Sequence, residues 1–144
     1  MPSMQEAFIS ALNSCSVVHF KDNRLDKLSP RHYYVAIPVD KNTSLLLCII
    51  TSKVEKRIAH AKRVNALSGL VKVSGKDIPE LSMESVIDCN QTSLVSKRPD
   101  DLHWADVSTF KLCGVLSEDV RKKVFAAICS SPVVPPAIKA LLPK

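Results

Sequence analysis

With 144 residues the chain has the length of one domain, and 46% hydrophobic and 24% charged content fits a globule with a real core rather than a disordered or fibrous chain. Its longest apolar run, Leu45 to Ile50, falls far short of the ~20 residues that span a bilayer. The net charge of +6 is uneven: Lys53 to Arg63 holds five positive residues and one negative, Asp77 to Asp106 seven negative and two positive.

A basic patch beside an acidic one suits a polyanionic partner. The N-terminus carries no basic stretch followed by an apolar one, so no secretory signal and a cytoplasmic location are expected. Cys15, Cys48, Cys89, Cys113 and Cys129 are widely spaced and odd in number, without a Cys-x-x-Cys pair or a Cys/His ligand spacing. Neither structural zinc nor a disulfide framework is expected, and no cofactor is implied.

In chain order, Ser3 to Glu6 is a capping-box pattern ahead of Phe8, Ala11, Leu12 and Cys15 at helical spacing, which predicts a short first helix. Asp22 to Pro30 is polar and reads as a loop. In "HYYVAIPVD", Tyr33, Val35, Ile37 and Val39 alternate as in a strand, with Pro38 suited to a strand end. Asp40 to Thr43 is a turn, and the continuous run "SLLLCIIT" predicts a strand buried on both faces. The two strands make a hairpin.

From Ser52 the period becomes helical. Val54, Ile58, Ala61 and Asn65 share one face, and Lys53, Lys56, His60 and Arg63 another, with Arg57 alongside. This helix is expected to close near Gly69. Short strands follow in "LVKVS", "SVIDC" and "SLVSK", the last two joined by a turn at Asn90-Gln91. Asp100 to Asp106 predicts a helical turn and "FKLCGVL" another strand. Ser117 is an N-cap, with Glu118 and Asp119 suited to the first turn of a helix that stops by Pro132. A last helical piece covers Ala137 to Leu142. Many short strands with terminal helices predict an α+β chain built on a small SH3-like barrel. The single domain of residues 1–144 divides into an N-terminal helical extension (1–30), a barrel (31–116) and C-terminal helices (117–144).

The stretch "MESVIDCNQTSLVSKRPDDL" resembles the strand-turn-strand of the MazF/PemK/Kid toxin family, with Ser85, Gln91, Lys97 and Leu102 at the corresponding positions. "KLCGVL" and "SEDVRKKVFAAI" are similar to that family's ending, so the resemblance runs from about Tyr33 to Ile128. It implies an SH3-like barrel that works as a homodimer. It also implies metal-independent cleavage of single-stranded RNA and neutralisation by an antitoxin protein. The chemistry is attack of a 2′-hydroxyl on the adjacent phosphate, which needs a base, an acid and donors for the phosphorane charge. Two positions depart from the family. Counting strands from Tyr33, its Arg-Pro pair at the second strand falls on Asn42-Thr43-Ser44, with Lys41 the nearest cation. Its threonine at the third strand falls near Gly69, beside Ser68.

Each candidate also has a plainer reading. Lys53, Lys56, Arg57, His60 and Arg63 are phosphate contacts or a solvated helix face. His32, beside Arg31, has the ordinary pKa of a proton carrier or is a surface histidine at a strand end. Thr51 and Ser52 are catalytic hydroxyls or a strand terminus leading into a helix cap. Asn90 and Gln91 read base edges or make a turn. The expectation is a toxin-like endoribonuclease acting on single-stranded RNA. His32, Thr51 and Ser52 are its catalytic candidates, and no metal or membrane is involved. The alternative is a non-catalytic MazF/PemK-like barrel that binds RNA or a protein partner in a toxin-antitoxin or phage-defence system.

Overall fold

Six antiparallel strands form one sheet in the order β4-β5-β3-β2-β1-β6. The structure, a computed structural model, describes residues 3, 6, 8, 9, 12–40 and 43–143. The strands are β1 (Ser16–Asp22), β2 (His32–Pro38), β3 (Ser44–Thr51), β4 (Leu70–Val73), β5 (Ser85–Ser96) and β6 (Ala105–Val115). Helices are α1 (Val54–Arg63), α2 (Glu118–Ser130) and the short α3 (Pro136–Lys139), with 3-10 turns at Leu67–Gly69 and Pro99–Trp104.

The apolar run of β3 lies at the centre, between β2 and β5, because alternate side chains feed two separate cores. Leu46, Cys48 and Ile50 join Val35, Ile37, Val71 and Ile87 under Val120, Val124 and Ile128 of α2. Leu45 and Leu47 join Val18, Phe20, Tyr34 and Val95 on the opposite face, under Phe8, Leu12, Leu102 and Trp104. Phe8 anchors that second layer, with ring centroids 4.4 Å from Phe110 and 5.5 Å from Trp104. Fully burying each such side chain is worth about 1.5–3 kcal/mol, so both layers contribute substantially.

The α+β class, the β2–β3 hairpin, the helical turn before β6 and the C-terminal helix agree with the sequence reading. Ser117 caps α2, its hydroxyl accepting from the Val120 amide at 3.3 Å. The capping box also forms: Ser3 N–H donates to Glu6, and Glu6 N–H donates to the Ser3 hydroxyl. Glu6, Phe8 and Ile9 are helical, whereas Met4, Gln5 and Ala11 of the expected first helix lie outside the described residues, as do Lys41 and Asn42. No described helix is long and apolar enough to cross a membrane.

Three expectations change. First, Ser16–Asp22 is a strand inside the sheet, paired with β2 and β6, so residues 1–30 are more than a helical extension. Its polar Ser16, His19 and Lys21 masked the pattern. Second, "SVIDC" and "SLVSK" are halves of one strand, with no chain reversal between them. Leu47 pairs with Ser93 and Ile49 with Asp88, so residues 89–92 bulge opposite Cys48. The Thr92 hydroxyl closes the bulge on the Cys89 carbonyl at 2.5 Å. The turn-forming residue types were read correctly, but they serve a bulge. Third, the sheet is open, with β4 and β6 as its edges. A further bulge in β6 leaves Cys113 unmatched between Gly114 and Leu112, and Gly114 takes φ +135, which glycine tolerates without strain.

Candidate nucleic-acid interface

Helix α1 is poor in apolar contacts, with only Ala61 fully buried, so polar links dock it. Its C-terminal end is a Schellman motif: Asn65 adopts φ 56, Ala66 N–H donates to Ala61 at 2.8 Å and Asn65 N–H donates to Lys62 at 3.3 Å. The helix therefore ends at Arg63, with Asn65 as its left-handed exit, ahead of Gly69. Arg57 ties its middle to β5 through the carboxylate of the buried Asp88, at 2.9 Å. Asn90 ties its exit, donating from Nδ2 to the Ala66 carbonyl at 2.8 Å and accepting at Oδ1 from the Ser131 hydroxyl at 2.6 Å. Gly69 makes room for this latch, since a Cβ there would lie 1.9 Å from Asn90 Oδ1.

This geometry sorts the sequence candidates. Lys53, Lys56, Arg57, His60, Arg63 and Gln91 line one cavity of about 330 Å³. Four come from the helix, Lys53 from the residue just ahead of it, and Gln91 reaches it from the β5 bulge. Asn90 is not among them: both ends of its amide are bonded within the fold, so its role is structural. Lys62 and Arg63 at the end of α1 also suit the negative end of the helix dipole, which gives Arg63 a helix-stabilising role of its own.

A second cavity, of about 410 Å³, opens where β2 begins and β3 ends. His32, Thr51, Ser52 and Lys53 all line it, so Lys53 belongs to both cavities. His32 sits one step beyond the paired Tyr33 and Ile50, which sets it across from Thr51. The Thr51 hydroxyl oxygen accepts from the Lys53 amide at 3.2 Å, leaving its own proton to donate outward. That contact turns the chain from strand to helix. Lys53, rather than Ser52, is the residue preceding α1, and it makes no side-chain cap. Burial lowers the pKa of His32, and nearby Lys53, Arg57 and Lys21 lower it further against the pull of Asp22. His32 is therefore a neutral imidazole at pH 7, able to accept a proton.

Arg31 lines the same cavity. It went unrecognised because counting strands from Tyr33 makes "SLLLCIIT" the second strand. With β1 in place, the second strand starts immediately after Arg31. The third strand, β3, carries Thr43 just ahead of its start, bonded to Asp40, and Thr51 at its end in the cavity. The loop that presents Arg31 is built around Lys21, whose ammonium donates to the carbonyls of Asp26, Lys27 and Ser29. Asp22 steadies the loop's start. Burial alone would raise its carboxyl pKa, but hydrogen bonds from Arg24 and Tyr34 outweigh it and hold the pKa below its ordinary value.

Lys97 lies apart from both cavities, 1% exposed, with its ammonium 3.3 Å from Asn13 Oδ1. All five cysteines are free thiols. No family model matches the chain, and no curated protein matches it.

Proposed function

We propose that the protein binds single-stranded RNA across the two cavities and cleaves it without a metal, in the manner of the MazF/PemK-like toxins it resembles. One observation carries this reading: the residues singled out for chemistry and those singled out for phosphate binding line adjoining cavities that share Lys53. In this account the neutral His32 takes the proton of a 2′-hydroxyl as its oxygen bonds to the adjacent phosphorus. The bond from phosphorus to the 5′-oxygen breaks, giving a 2′,3′-cyclic phosphate. The Lys53 ammonium supplies the leaving oxygen's proton. Arg31 and the Thr51 and Ser52 hydroxyls donate to the non-bridging oxygens, where preorganised donors have their largest effect. Arg57, Lys56, His60 and Arg63 hold the flanking phosphates. The resemblance further implies a homodimer and an antitoxin protein as partners, within an SH3-like barrel.

A second reading has support in the two departures from the family's pattern, at Asn42-Thr43-Ser44 and near Gly69. It is a related barrel that binds RNA or a protein partner and has no nuclease activity. Induced expression separates the two. The nuclease reading predicts growth arrest that is relieved by Arg31→Ala or Thr51→Val in folded protein. RNA bound by the wild type without arrest would favour the binding module.

A further inference from the structure

The cavity at the start of β2 holds more than a phosphate requires. At about 410 Å³ it falls within the ~300–1,000 Å³ of small-molecule sites. Besides the cations it is lined by Tyr33, Ile50 and Met83, and by Glu80 and Ser82. Met83 is 63% exposed, a large apolar side chain left in water at the rim of the cavity. Tyr33 packs against His19 at a tilt of 39°, ring centroids 4.3 Å apart. A carboxylate is unfavourable beside a bound polyanion unless it meets a hydrogen-bond donor on the same ligand.

A flat apolar wall, a carboxylate and adjacent cations together match one nucleotide of a single strand, with its base unstacked and read at its edge. We infer that this cavity is a base-recognition subsite selecting guanine, with Tyr33 and Met83 packing on the base and Glu80 accepting from its edge. Guanine fits because its pairing edge presents two adjacent N–H donors, the arrangement a carboxylate accepts in bidentate fashion. Uracil presents one donor between two carbonyls. Glu80 is available for this role, since its only described partner is the exposed Lys111, at 3.2 Å. Exposed pairs of that kind are easily exchanged.

The inference rests on the RNA-binding reading, and the test separates the two. Labelled uridine heptanucleotides carrying G, A, C or U at the centre, with 2′-fluoro sugars that cannot be cut, are titrated by fluorescence anisotropy. The G-centred strand should bind at least about fivefold tighter than the U-centred one. Glu80→Gln should abolish that preference while leaving the salt dependence intact. Glu80 is exposed, so the variant should fold. Equal affinities for all four strands, or a preference that Glu80→Gln leaves unchanged, would overturn the base subsite alone. If no strand binds, the RNA-binding reading fails and the subsite with it.

Discussion

Replacing Arg57 by Met tests how α1 is held and what its stripe contributes. The Asp88 side chain is 3% exposed and that of Arg57 29%. Removing one partner of a fully buried ion pair costs about 3–5 kcal/mol, because the remaining charge is stranded in a low dielectric. Here solvent reaches the guanidinium, and Asp88 Oδ1 keeps the Asn90 amide at 3.1 Å, so the expected loss falls to about 2 kcal/mol. For a chain of this length that lowers Tm by about 6 °C. Adding Asp88→Asn removes the stranded charge, so the double variant should recover about half of the loss. RNA affinity should not recover, since the cation is still missing. Urea denaturation of the four proteins, with anisotropy titrations beside it, measures both effects. A single variant within about 0.5 kcal/mol of wild type would refute the argument that this pair docks the helix.

Three other outcomes follow from the geometry. With His32 as the base, cleavage should rise with pH through a pKa below 6.5 and level off near neutrality. Lys53→Gln, which also removes the leaving-group acid, should raise the pKa of His32 itself, because one of the charges depressing it is gone; the wild-type pH–rate profile and an NMR titration of the imidazole in the variant report the two. Asp22 has a folded pKa below its unfolded value. It therefore contributes stability that is fully present above about pH 4 and lost as pH falls through the folded pKa. Tyr34→Phe, which removes a 2.6 Å hydrogen bond to that carboxylate, should cost about 1–3 kcal/mol at pH 7 and less in acid, as read by urea unfolding across pH. Gly69→Ala should push Asn90 off its two partners and destabilise the fold by about 2–3 kcal/mol in thermal melts.

The parts of the fold that were legible in the sequence are those governed by local rules. The uninterrupted apolar run of β3 announced a strand buried on both faces, and Ser117 announced the start of α2. The basic face of α1 was visible at helical spacing, and its convergence on one cavity with Gln91 follows from that spacing plus the β5 bulge. What stayed hidden depends on distant contacts. β1 carries His19 and Lys21 among its apolar residues because Tyr33 and the loop carbonyls occupy them. Without β1, the position of Arg31 just ahead of the second strand of the sheet was not visible. Asn90 looked like a turn residue because the side chain that bonds locally in a turn bonds here to Ala66 and Ser131, 24 and 41 residues away.

On the proposed function, RNA is cut in the cavity that Arg31, His32, Thr51 and Lys53 line. The most direct test incubates the purified protein with mixed-sequence single-stranded RNA in EDTA and analyses the ends of the products. The account predicts discrete fragments ending in 2′,3′-cyclic phosphate, lost in Thr51→Val and Arg31→Ala. Intact RNA in the presence of folded, RNA-bound protein would contradict it.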